Sequence, residues 1–313
     1  YAKANQSVVG IQVVSSTSYM PWAQSTYQVS GEGSGIVYSE DGTIVTNYHV
    51  IANALSEDGK LVSGNEIRVY LDTSLSTYFK AELEGYDTTT DLAVLKINVD
   101  NLTPIDVADS DEVEIGETAI AIGSPGGLEF MNSISSGIIS GLDRNLTRED
   151  GISYGLLQTT AAINPGNSGG ALLNAEGELI GICVMKLVSS GYESMGFAIT
   201  SNTMKDIVTS ILNSGGVVRP KLGVTISTTY TATEAASYDL PVGAWVYSVT
   251  KDSAADKSGI KVDDIIVEIA GNAITDFYSL RTELLKHKPG DSVEIKVFRD
   301  GEYKTLTAVL DAE

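Results

Sequence analysis

Histidine, cysteine and basic residues are all scarce in this chain of 313 residues, which holds two His and one Cys. The shortage excludes a Cys/His metal cluster and any disulfide within the chain. The single thiol, Cys183, lies in the apolar run Ile180-Gly-Ile-Cys-Val-Met185 and reads as an inert buried group. Lys and Arg number 20 against 41 Asp and Glu, for a net charge of −21. A nucleic-acid binder displaces phosphate counterions with a basic surface, so this balance argues against nucleic acid and equally against anionic lipid. Long apolar runs are missing too. The uncharged stretch over residues 151–175 is broken by Gly, Asn, Thr and Gln and does not read as a spanning helix. No signal peptide is visible; the start at Tyr1 instead of Met is expected to reflect a processed or trimmed chain, which leaves an N-terminal membrane anchor open.

What is present is enough for two folded domains. Hydrophobic residues make up 42% and charged residues 19%, the balance of a chain that buries cores. Residues 1–218 carry 9 basic against 26 acidic side chains, whereas residues 219–313 carry 11 against 15. Two domains with different surfaces fit that asymmetry.

Short apolar or alternating runs dominate the first two hundred residues. Residues 36–38 and 43–46 flank Ser39-Glu-Asp-Gly42, a hairpin with its turn chemistry in place. Further strands are expected at 66–71, 79–84, 92–97, 118–122, 137–140, 171–173 and 179–185. Many short strands with Gly-rich turns predict an all-β barrel or sandwich. One helix follows: Met204, Ile207, Val208, Ile211 and Leu212 form an i, i+3, i+4, i+7, i+8 stripe that stops at Gly215-Gly216. A linker over 213–220 then separates a domain at 1–216 from one at 217–313. The second mixes strands at 222–226, 243–249, 264–269, 292–298 and 303–309 with a helix over 276–287. No internal repeat is visible.

Gly166-Asn-Ser-Gly-Gly170 is the sharpest chemical feature. Serine between glycines suits a nucleophile, because a bare backbone bends tightly, exposes the hydroxyl and lets N–H groups converge on an oxyanion. A plain glycine-rich turn is the alternative. The pentapeptide also matches the elbow of α/β-hydrolases. That fold needs a histidine after the serine, and the later one, His287, lies in the charged stretch Leu285-Lys-His-Lys288 at a helix end. The elbow reading is therefore rejected. His49, in Thr43-Ile-Val-Thr-Asn-Tyr-His49, is the one candidate base in the same domain as Ser168, although a lone histidine at a strand end is usually structural. A base needs a carboxylate to hold its tautomer. Asp91 stands where the polar Thr88-Thr-Thr90 enters Leu92-Ala-Val-Leu95; Asp87 and Asp72 remain alternatives.

With these residues in order His49, Asp91, Ser168, the sequence resembles the HtrA (high-temperature-requirement, Deg-type) serine proteases. Gly33-Ser-Gly-Ile36, Ile44-Val-Thr-Asn-Tyr-His-Val-Ile51, Asp91-Leu-Ala-Val-Leu-Lys-Ile97 and Thr159-Thr-Ala-Ala-Ile-Asn-Pro-Gly-Asn-Ser-Gly-Gly-Ala-Leu172 carry the likeness. Gly123-Ser-Pro-Gly-Gly127 and Ser136-Gly-Ile-Ile-Ser140 resemble its activation-loop region. Lys221-Leu-Gly-Val224, Ser253-Ala-Ala-Asp-Lys-Ser-Gly-Ile260 and Val262-Asp-Asp-Ile-Ile266 are similar to its PDZ domain.

The resemblance implies a mainly β protein: a chymotrypsin-like double β-barrel followed by a smaller α+β PDZ domain. It implies Ser168 as nucleophile, His49 as base and Asp91 as its orienting acid, with an oxyanion hole over Gly166, Asn167 and Ser168. Ile163, Lys186 and Leu187 match the primary specificity pocket and imply a preference for small or medium aliphatic residues such as Val or Ala. Two departures stand out: Thr160 where the family commonly has Asp, and Lys186 at a usually apolar wall. Lys221, Leu222, Gly223, Val224 and Ile226 match the loop and strand that take a C-terminal carboxylate. The implied function is cleavage of unfolded polypeptides in extracytoplasmic quality control, by a homotrimer built through N-terminal aromatics such as Tyr19, Trp22 and Tyr27, with no metal or cofactor. A peptide-binding chaperone with a silent site, and a processing protease with one substrate, are the rival readings.

Overall fold

Val and Ile crowd the strands of the first two hundred residues, as suits β-branched side chains on a pleated surface. A computed structural model describes residues 4–17, 26–148, 151–184, 195–227 and 229–312. The chain divides into two units, Tyr1–Val217 and Val218–Glu313.

Six strands form the first barrel: β1 (Val8–Thr17), β2 (Thr26–Val37), β3 (Thr43–Asn47), β4 (Asn65–Tyr70), β5 (Phe79–Asp87) and β6 (Leu92–Lys96). They close in the order β1-β2-β3-β6-β5-β4, and a single helical turn, α1 (Tyr48–Ile51), leads away from β3. The second barrel holds β7 (Thr118–Gly123), β8 (Ser133–Arg148), β9 (Gly151–Thr159), β10 (Ala171–Leu173), β11 (Leu179–Val184) and β12 (Gly196–Thr200). Its order, β7-β8-β9-β12-β11-β10, repeats that of the first barrel six strands later.

Alternation along β3 shows how the barrels join. Ile44 points into the first barrel with Val37 and Leu95. Its neighbour Val45 packs with Ile36 and Val94 in a different cluster that takes in Ile122, Leu173 and Ile182 of the second barrel. Every residue of β3 is consequently buried, one face filling its own barrel and the other facing the next. Burying one such side chain contributes about 1.5–3 kcal/mol. Helix α2 (Ser201–Ser214) seals the same cluster with Met204, Ile207, Val208 and Ile211. The Thr200 side chain accepts from the Thr203 N–H to start it, and Gly215, at φ +73°, ends it.

The second unit comprises β13 (Pro220–Lys221), β14 (Val224–Ile226), α3 (Ala232–Ser237), β15 (Ala244–Val249), α4 (Ala254–Ser258), β16 (Ile265–Ile269), β17 (Asn272–Ala273), α5 (Phe277–Leu284), β18 (Ser292–Arg299), β19 (Glu302–Val309) and β20 (Asp311–Ala312). The sheet order β14-β15-β16-β18-β19 leaves β14 at an edge, while β13 pairs with β20. Leu222, Ile226, Val246, Ile266, Leu280 and Ile295 share one core. Two expected elements are shorter than the sequence suggests. The strand predicted over 222–226 starts at Val224, because the Leu222 and Gly223 carbonyls turn away to accept from Ala255 and Thr250 at 2.8 and 2.9 Å. The helix expected over 276–287 spans Phe277–Leu284, started by the Asp276 side chain on the Ser279 N–H.

Candidate active site

Two backbone events place His49. The strand β3 ends at Asn47, and the chain coils into α1 instead of continuing extended, so His49 sits in a helical turn and not at the strand end expected. Asp91 then holds that turn from the β5–β6 connection. Its carbonyl accepts from the Asn47 amide at 2.9 Å and from the Tyr48 N–H at 3.0 Å. One carboxylate oxygen accepts from the His49 N–H at 2.9 Å, and the other lies 2.7 Å from His49 Nδ1.

A carboxylate only accepts, so the proton of that contact resides on Nδ1, and in the neutral imidazole Nε2 carries the lone pair. This is the tautomer a general base requires. Asp91 is 1% exposed and adopts φ +60°, a left-handed conformation that an Asp tolerates better than most residues. The alternatives have other roles. Asp87 folds the turn by accepting from the Thr90 N–H at 2.8 Å and from the Thr90 hydroxyl. Asp72 caps an exposed loop through Ser74, whose N–H and hydroxyl hold its carboxyl below the ordinary range.

Ser168 comes from the second barrel on a turn that only glycine permits. Gly166 has φ +99° and Gly169 φ +82°. A Cβ on Gly166 would meet the Ser124 carbonyl at 2.1 Å, and one on Gly169 would meet the Ser34 carbonyl at 2.1 Å and the Thr46 hydroxyl at 2.4 Å. The turn is therefore pressed against β2 and the end of β3, just ahead of α1 and His49. Gly169 N–H donates to the Cys183 carbonyl at 3.0 Å, and Cys183 N–H returns a bond to Gly170 at 2.9 Å. Ser168 is 4% exposed. Cys183 itself is buried and its thiol is pushed up to about 12, so it stays protonated and unreactive.

Ile163 is buried beside Gly196, where any Cβ would meet Ile163 Cγ1 at 2.4 Å. Lys186 and Leu187 lie outside the described residues, as do Tyr19 and Trp22. Thr160 accepts from the Ile138 N–H at 3.0 Å and its own N–H binds the Ile138 carbonyl, so it ties its segment to β8. Tyr27 is exposed, with the Arg68 guanidinium 4.6 Å from its ring centre. In the second unit Leu222 is buried, Gly223 has φ +83°, and β14 offers Val224 and Ile226 at the sheet edge. Lys221 pairs with Asp311 in the β13–β20 ladder. Sequence reasoning misses Ser34, Gly126 and Gly196 as site residues. The pattern Gly33-Ser-Gly35 is the one available signal, since glycine on both sides of a polar residue marks a close approach of backbones.

Residues 33–182 match the family model of the trypsin-like peptidase domain, and residues 220–310 match that of the PDZ domain. The chain is 37% identical to the serine protease Do-like HtrA of Lactococcus lactis subsp. cremoris, an alignment covering 99% of this chain and 78% of that protein. It is 39% identical to a probable periplasmic serine endoprotease DegP-like of Halomonas elongata, over 89% of this chain and 56% of that protein. Among solved structures, the HtrA-type protease AlgW with a decapeptide superposes with a TM-score of 0.81 at 31% identity, covering 100% of this chain and 97% of the other. Two barrels with a serine turn between them, followed by a PDZ unit, fit these matches, and the chain belongs to the HtrA family of serine endopeptidases.

Proposed function

We propose that Ser168, His49 and Asp91 form the catalytic triad. The observation that carries this reading is the 2.7 Å contact between His49 Nδ1 and a carboxylate that is 1% exposed. It leaves Nε2 as the proton acceptor, on the barrel against which the serine turn is pressed. His49 takes the Ser168 proton as the hydroxyl attacks a peptide carbonyl. It then returns the proton to the departing amine, leaving an acyl-enzyme that water hydrolyses. The N–H groups of Gly166 and Ser168, with Asn167 between them, receive the oxyanion, and each such donor is worth about 3–4 kcal/mol in the transition state. The close approach of Ile163 to Gly196 supports the preference for small or medium aliphatic residues that the family resemblance implies.

The substrates in this reading are unfolded polypeptides, and the PDZ unit takes their C-termini. Support comes from β14, a terminal strand whose outer edge can accept a peptide strand, and from the turn Lys221-Leu-Gly-Val224 beside it. The relatives named periplasmic favour work outside the cytoplasm. A homotrimer is the assembly carried over from the family resemblance.

A serine-directed phosphonate probe tests the reading. Label on Ser168 that disappears in both Ser168→Ala and His49→Ala supports the triad, and labelling that rises with added C-terminal peptides supports the PDZ role. Absence of label in folded protein under every condition rejects both. A light-scattering mass of 33.1 kDa would reject the trimer.

A further inference from the structure

We infer that the Ser34 hydroxyl is a positioning residue for the oxyanion hole, locking the serine turn of the second barrel to the first; this rests on the triad reading above. Ser34 is fully buried. Its Oγ donates to the Gly166 carbonyl at 2.8 Å and accepts from the Ser124 N–H at 3.0 Å. Its own N–H donates to the Ser168 carbonyl at 2.9 Å, and its carbonyl accepts from the Thr46 hydroxyl at 2.7 Å. One residue therefore ties β2, the end of β3, the 124–127 loop and both ends of the nucleophile segment together.

The consequence follows from peptide planarity. In a trans peptide the N–H points opposite to the C=O of the same unit, so holding one fixes the other. The Pro165 carbonyl accepts from Gly126 N–H at 2.7 Å, which sets the direction of the Gly166 N–H. The Asn167 carbonyl accepts from Gly170 N–H at 2.8 Å, which sets the Ser168 N–H. Between these two units lies the Gly166–Asn167 peptide. Its N–H reaches the Asn164 carbonyl at 2.9 Å, and its carbonyl is the one Ser34 Oγ holds. With Gly166 at φ +99° and no side chain of its own, this middle peptide depends on the grips at its two ends. Ser34 supplies the side-chain grip, and by accepting from the Ser124 N–H it also anchors the loop that presents Gly126. Oxyanion donors act through preorganised geometry, and small displacements of such groups cost about 10- to 100-fold in rate.

Ser34→Ala removes one oxygen, and Ser34→Gly removes it with the Cβ. Both are assayed on a chromogenic peptide ending in valine, with a valine peptidyl boronic acid as transition-state mimic and thermal unfolding as the check on folding. Expected in both are a kcat about 10- to 100-fold lower, a KM within about two-fold of the parent, and boronate affinity falling with kcat/KM. The midpoint of the rising pH limb stays in place, because the His49–Asp91 contact lies outside this junction. A kcat within about two-fold of the parent, a loss confined to KM, a displaced pH midpoint, or failure of both variants to fold would each overturn the inference. The parent protein is treated with the phosphonate probe in parallel. No label on Ser168 there rejects the triad reading itself, and this inference with it, whereas label that His49→Ala abolishes upholds the triad and ties any failure to Ser34 alone.

Discussion

The two barrels share one strand order, yet they bring different materials to their junction. The first contributes side chains: the imidazole of His49, the carboxylate of Asp91, the Asn47 amide and the buried hydroxyls of Ser34 and Thr46. The second contributes a single side chain, Ser168, carried on a backbone turn through Gly166, Gly169 and Gly170, with φ values no β-branched residue would adopt at Gly166 and Gly169. A side-chain pair can be oriented by its own hydrogen bonds, and Asp91 does so through four contacts to residues 47–49. A glycine turn has only its backbone hydrogen bonds for this, and here it also takes its shape from the segments pressed against it. The first barrel thus carries its half of the site ready-made, while the second needs a neighbour to hold its half.

The largest break in that comparison is Ser168→Ala, which removes the chemistry of the second barrel. A fall in kcat of about 10⁶ is expected, measured by peptide hydrolysis, with folding preserved by circular dichroism. Next comes Asp91→Asn, which leaves the first barrel's geometry but presents an amide where His49 needs an acceptor. Loss of the right tautomer lowers kcat by about 10⁴, and the unfolding midpoint changes far less than the rate.

Gly169→Ala sharpens the contrast from the stability side. The new Cβ would lie 2.1 Å from the Ser34 carbonyl at a positive φ, so a destabilisation of at least about 1–3 kcal/mol is expected in denaturant unfolding. Probe labelling should fall even in the fraction that stays folded. The smallest effect belongs to Asp41, in the β2–β3 turn of the first barrel. Lys96 at 2.6 Å, Ser39 and Thr43 hold its carboxyl well below the usual carboxylate range. A depressed carboxylate stabilises above its unfolded pKa, and the contribution fades as pH falls through the folded one. Because Asp41 is exposed, solvent screening limits Asp41→Asn to about 0.2–1 kcal/mol near neutral pH. The difference from the parent should shrink below about pH 4.

Legibility differs between elements for physical reasons. The Ser39–Gly42 hairpin and helix α2 can be read because turn residues and a helical stripe are local signals. Strands β1, β9 and β12 escape such a reading. Gly10 and Gly155 interrupt the first two, and β12 is nearly all buried, so none shows clean alternation. Gly10 is there because a Cβ would strike Leu128 Cδ2 at 2.6 Å, a contact that exists only in the folded chain. Nor does any sequence repeat betray the duplicated strand order, which depends on backbone closure and not on side-chain identity.

By itself the sequence determined the chemistry available to the site: the serine within Gly166–Gly170, one histidine in the same domain, no cysteine or histidine cluster, and a short list of acids. The family resemblance singles out Asp91 among these acids, and tertiary structure supplies the physical reason it faces the histidine. Asp72, Asp87 and Asp91 are alike as residues and close in sequence, and only the curl from β3 into α1 puts Asp91 against His49 while Asp87 folds its own turn. Tertiary structure also decided that Ser34 grips the serine turn from the other barrel, 132 residues away in sequence from the carbonyl it binds. Contacts across such separations depend on how two closed sheets pack, which no local pattern encodes.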